Sequence, residues 1–217
     1  LQHLEQVILF EGPATIATIL IESVVGTAGV LIPPPGYLEG VRALCDKHGI
    51  VLILDEVMAG FGRTGKWFAC EHWDVVPDIL TVAKGINSGY VPLGGVVISR
   101  AIADTFGDRP YPGGLTYSGH PLACASAVAS IRIFEEEGLV ERARTVGNDV
   151  LGPMLRELAD HHGLVVAEWL TGPVRADAGL DDLRPLQLRH HPAAGHGRRW
   201  PGGQRLESGR RRDRKST

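Results

Sequence analysis

Two places in the chain combine reactive side chains with a setting that would sharpen them. Asp55 and Glu56 follow the apolar run 50–54 (IVLIL), and Lys84 follows the apolar run 79–83 (ILTVA). An aspartate at the end of a buried strand needs a cation or hydrogen-bond donors, because an unpaired carboxylate away from water is costly. A helix cap or a buried ion pair would satisfy it. A lysine whose ammonium is poorly solvated has a lowered pKa and becomes a nucleophile that forms Schiff bases with carbonyl compounds. The chain has only four lysines, and Lys47, Lys66 and Lys215 lie in polar or loop settings. A salt bridge is the ordinary alternative for Lys84.

Between them lies a glycine-rich stretch that spells two nucleotide motifs. Gly60 to Lys66 reads G-x-x-x-x-G-K, but Trp67 follows where a P-loop needs the Ser or Thr hydroxyl that holds magnesium. Gly60, Gly62 and Gly65 have the G-x-G-x-x-G spacing of a dinucleotide loop, which should turn directly from a strand into a helix. Here residues 56–59 intervene and no helical pattern opens after Gly65. The spacing is better read as a tight loop whose glycines need positive φ. Cys70 and His72 stand close together, but two candidates do not make a metal site, and no metal is expected.

Positioning these residues requires a scaffold. Strand-length apolar runs occur at 17–22, 50–54, 79–83, 95–99 and 164–167. Between them, 37–48 has apolar residues at Leu38, Val41, Leu44 and Cys45, which is helical spacing, and Gly49 ends it. Residues 119–137 form a helix rich in small residues, and 141–162 a longer amphipathic one. Continuous apolar strands alternating with helices predict an α/β fold with a mostly parallel sheet covered on both faces. Ligand-binding residues gather at the carboxyl ends of the strands of such sheets, where Asp55 and Lys84 both fall.

The 217 residues are 44% hydrophobic, enough for a substantial core. A formal net charge of −3 gives no reason to expect nucleic acid, and no apolar run is long enough to span a bilayer. Three scattered cysteines without a framework fit a reducing, cytoplasmic setting. The charge is uneven: residues 1–168 carry 11 Lys and Arg against 20 Asp and Glu, and residues 169–217 carry 11 against 5. The latter segment lacks Ile and Phe and shows no periodicity, as expected of a disordered basic tail or an out-of-frame translation.

The run LILDEVMAGFGRTGKWFACEHWDVVPDILTVAKGINSGYVPLGGVVIS resembles the class-III pyridoxal-phosphate-dependent aminotransferases, the omega-aminotransferase group. IESVVGTAGVLIPPPGYLEGVRALCDKHGI upstream and GGLTYSGHPLACASA downstream continue the likeness over about residues 1–168. The resemblance implies fold type I of the pyridoxal-phosphate-dependent transferases. Residues 1–137 would be part of the large, cofactor-binding domain, 138–168 the start of the small carboxyl-terminal domain, and 169–217 the atypical tail.

It also implies roles. Asp55 matches the aspartate that pairs with the pyridine nitrogen of pyridoxal 5'-phosphate; an anion there keeps the ring protonated and makes it an electron sink. Val57 matches the residue that packs under the ring. Lys84 matches the lysine that holds the cofactor as a Schiff base and later serves as general base. Thr116 matches the threonine that reaches the cofactor phosphate of the neighbouring subunit in a homodimer. Glu22 matches a family Glu-Pro, with Ser23 in place of the proline. Thr27 and Met58 stand where ornithine- and 4-aminobutyrate-using members carry glutamate and glutamine. The likeness therefore leans towards beta-alanine, taurine or another omega-amine as donor, with a 2-oxo acid such as pyruvate as acceptor.

Such chains are considerably longer. Their Gly-Ser phosphate loop, ring-stacking aromatic residue and carboxylate-binding arginine have no counterpart here. A truncated chain with little activity of its own is expected. An aminomutase would need the same Lys84 and Asp55; an inactive fragment acting through its surface and a nucleotide hydrolase are the readings from other classes.

Overall fold

The computed structural model describes residues 1–162. The strand expected at 164–167 and the tail at 169–217 lie outside them. The described elements are α1 (Gln2–Glu11), β1 (Thr18–Glu22), α2 (Tyr37–His48), β2 (Val51–Asp55), β3 (Ile79–Val82), β4 (Gly95–Ile98), α3 (Arg100–Asp104), α4 (Pro121–Glu136), α5 (Leu139–Val146) and α6 (Gly152–His162).

The four strands form one sheet in the order β1-β2-β3-β4. The first three are parallel, as expected, with α2 crossing between β1 and β2 and a long loop between β2 and β3, and β4 runs antiparallel to β3. Leu38, Val41, Leu44 and Cys45 of α2 are all buried, as their spacing predicts. They pack with Ile8 of α1 onto Leu52, Leu54, Leu80 and Val82 of the sheet. Each such side chain contributes about 1.5–3 kcal/mol by leaving water. Gly49 closes α2 at φ 69°, a left-handed position open to glycine.

Cover on both faces is not found among the described residues. Leu20, Ile53, Ile79 and Ile98 are successive partners across the strands and so share the opposite face. Leu20 is 59% exposed and Ile98 44%. Among the described residues the helices that fill the core lie on one side only, so strand 18–22 is not the buried strand its composition suggests. The amphipathic segment 141–162 is helical but not one α-helix: a π-turn at Gly147–Leu151 separates α5 from α6.

Between β2 and β3 the chain makes the glycine loop and a 3₁₀ turn at Ala69–Trp73. Added side-chain atoms at Gly62 and Gly65 would meet Val140 and Arg144 of α5, so the loop lies close against that helix. Gly62 and Gly65 have φ 79° and 81° as expected, but Gly60 does not have positive φ. A Cβ there would stand 2.7 Å from the Glu56 carbonyl oxygen, so that glycine supplies room.

Candidate active site

Asp55 is the last residue of β2, and Lys84 follows the end of β3 after one intervening residue. The strands are parallel neighbours with Asp55 opposite Thr81, so both groups lie at the same, carboxyl end of the sheet. The topology thus brings together two residues separated by 28 positions of loop and strand.

Asp55 is half-buried, and its Oδ1 accepts the Val57 N–H at 2.9 Å. Its Oδ2 has no hydrogen-bond partner among the described residues. Val57 is itself half-buried. The Thr81 hydroxyl is buried and lacks a partner among the described residues. Glu22, opposite Asp55 at the end of β1, accepts the Gly26 N–H at 2.9 Å through Oε2.

Lys84 is exposed, against the expectation of a poorly solvated ammonium. Desolvation needs atoms packed over the end of the strand, and an apolar run leading up to the lysine does not provide them. Its backbone is the more informative feature: φ is 43°, in the left-handed region that a lysine adopts only at a cost. The turn is closed by the Ile86 N–H to the Ala83 carbonyl at 3.1 Å. Asn87, 1% exposed, donates to the Val91 carbonyl at 2.5 Å and to the Ser126 hydroxyl of α4 at 3.0 Å. Buried Ala123 and Ala127 allow α4 to come close.

Thr116 is exposed, in the turn 116–119 that leads into α4. The structure does not bring it into contact with Asp55, Val57 or Lys84.

Glu56 was legible only as half of an acidic pair. It is 0% exposed and accepts three hydrogen bonds: Ser23 Oγ at 2.5 Å, the Ala69 N–H at 2.9 Å and the Cys70 N–H at 2.8 Å. Burial pushes its carboxyl above the ordinary range, and the Ser23, Ala69 and Cys70 donors pull the other way. Its partners lie 33, 13 and 14 residues away, so spacing gave no signal for them.

The nucleotide readings fail on geometry as well. The Gly60, Phe61, Gly62 and Gly65 amides donate to the carbonyls of Glu56, Trp67, Lys66 and Gly62, so they do not point at a phosphate. His72 Nε2 lies 3.1 Å from both the carbonyl and the hydroxyl oxygen of Thr64, and no group of three or more His, Cys, Asp or Glu placed to hold a metal occurs among the described residues.

The chain is similar to known proteins over the same residues. Residues 1–168 match the family "Aminotransferase class-III". Among solved structures, the chain is similar to a taurine:2-oxoglutarate aminotransferase from Bifidobacterium kashiwanohense, in complex with PLP and glutamate. Identity is 52%, the TM-score is 0.72, and the match covers 74% of this chain and 36% of that one. A novel thermostable (S)-enantioselective omega-transaminase from Thermomicrobium roseum is 48% identical at a TM-score of 0.69, over 73% of this chain and 36% of that one. A transaminase from the marine bacterium Virgibacillus is 46% identical at a TM-score of 0.71, over 74% and 37%. The chain therefore spans little more than a third of these relatives' length. With motif order, strand topology and family match in accord over the same residues, the chain belongs to the class-III aminotransferases.

Proposed function

We propose that the protein transfers an amino group from an omega-amino compound of the taurine or beta-alanine kind to a 2-oxo acid, using pyridoxal 5'-phosphate. The observation that carries this reading is the placement of Asp55 and Lys84 at the same end of two adjacent parallel strands. The residues fit the cofactor: Lys84 offers an exposed primary amine, and Asp55 offers a carboxylate with one oxygen still unpartnered among the described residues. When bound, the cofactor supplies an aldehyde for amines to condense with and a protonated ring that withdraws electrons.

Lys84 would hold the aldehyde through its amine, and the same amine, when free, would serve as the base for the proton at the carbon bearing the substrate's amino group. Asp55 keeps the ring nitrogen protonated, with the Val57 N–H fixing its Oδ1. Half-buried Val57 would pack against the ring. Thr116, on its exposed turn, would be free to reach the phosphate bound by the partner of a homodimer. The donor class rests on Thr27 and Met58. Met58 packs against Gly26, the residue before Thr27: a Cβ on Gly26 would stand 3.0 Å from Met58 Cγ. The similar Bifidobacterium enzyme, named for taurine and 2-oxoglutarate, favours the same class.

The test is amino-acid formation by the full-length protein from taurine or beta-alanine with pyruvate or 2-oxoglutarate. Turnover is expected with wild type and not with Lys84→Ala. Undiminished turnover by Lys84→Ala would end this reading.

A further inference from the structure

Lys84 occupies a left-handed backbone conformation, and such strain persists only where neighbouring structure holds it. On one side the holder is Asn87, tied to α4. On the other it is Phe61. A Cβ at Gly85 would stand 2.6 Å from Phe61 Cβ and 3.2 Å from Phe61 Cγ. The φ of Gly85 lies outside the positive range, so this glycine is needed for close approach rather than for torsion.

Phe61 is itself held firmly. Its φ is 56°, and its N–H donates to the Trp67 carbonyl at 2.6 Å. Its ring meets Phe68 edge-on at 5.6 Å, Trp67 at 6.5 Å and Phe134 of α4 at 6.3 Å between centroids. Phe68 adjoins Ala69, whose N–H is taken by buried Glu56. The wedge is thus anchored to the residue next to Asp55.

We infer that Phe61 is a positioning residue for Lys84: pressed against Gly85, it fixes the turn from which the lysine amine departs. The glycine loop, whose amides bond carbonyls of its own segment, then couples the aspartate end of β2 to the lysine end of β3. The inference rests on the reading of Lys84 as the amine that holds the cofactor.

The test uses the full-length protein loaded with pyridoxal 5'-phosphate. Borohydride reduction followed by peptide mapping reads whether and how fast the cofactor becomes fixed on Lys84. Titration of the cofactor's absorbance gives a pH midpoint. Phe61→Ala and Gly85→Ala, which disturb the contact from opposite sides, are expected to slow fixation about tenfold and to move the midpoint in the same direction. Phe61→Leu, which refills much of the space, should stay near wild type in both and in melting temperature, so misfolding does not decide the outcome. Wild-type fixation and midpoint in both Phe61→Ala and Gly85→Ala would overturn the inference while leaving Lys84's role intact. Fixation of the wild-type cofactor elsewhere than Lys84 would overturn that role and the inference together.

Discussion

The Ser23 hydroxyl donates to the Glu56 carboxylate at 2.5 Å inside the fold, joining the chain just after β1 to the chain just after β2. With the Ala69 and Cys70 amides on the same carboxylate, Glu56 fastens three segments around the end of the sheet. Glu56→Ala would leave three donors unpaired and should cost about 3 kcal/mol, measured by urea unfolding. A loss below about 1 kcal/mol would mean that the carboxylate is not the fastener. Because burial raises this carboxyl above 4.5, the folded state binds its proton more tightly than the unfolded chain does. Its contribution is greatest below that value and falls as pH rises through the folded pKa. Glu56→Gln should remove that pH dependence.

Asp78 behaves oppositely. Desolvation opposes its ionisation, but the Leu52 N–H and the Arg42 guanidinium, each at 2.8 Å, outweigh it and hold the carboxyl below 3.8. The folded chain then binds fewer protons than the unfolded one. This stability is complete above the unfolded value and is lost as pH falls through the folded pKa. Asp78→Asn should cost about 2 kcal/mol near neutrality and shift acid unfolding, followed by circular dichroism, to lower sensitivity in this range.

Thr81→Val removes a buried hydroxyl that has no partner among the described residues, with little change of shape. It should raise stability by about 1 kcal/mol, read from thermal melting without cofactor. A comparable loss would show that the hydroxyl is hydrogen-bonded in solution.

Thiol labelling separates the cysteines. Burial, with nearby Glu56 adding to it, pushes the Cys70 thiol up to about 12, and burial raises Cys45 as well. Cys124 on α4 is exposed. Iodoacetamide at pH 8 should modify Cys124 of this chain and spare Cys45 and Cys70 until denaturant is added. Rapid modification of Cys70 in the native chain would contradict its burial.

The sequence made some of this visible through local rules. The helical spacing of Leu38, Val41, Leu44 and Cys45, with Gly49 as its stop, needs only the chain's own periodicity. The strand-end placement of Asp55 and Lys84 was legible because both follow apolar runs. The direction of β4 was not, since a short apolar run reads the same either way. Lys84's exposure depends on what covers the strand end, which no single segment encodes. The contact of Phe61 with Gly85 and the partners of Glu56 are long-range. The role of Gly60 is a matter of room rather than torsion. α1 was overlooked, although Ile8 on it is among the most buried side chains.

The strand order leaves β1 and β4 as the outer strands among the described residues. On β4, Val96 is 64% and Val97 56% exposed, so apolar side chains flank a strand margin that pairs with no other strand among the described residues. Such a margin is adhesive: it can take up another strand by main-chain pairing alone, from its own polypeptide or from a second molecule. Pairing of this kind would take the exposed Val96 and Val97 side chains out of water as well.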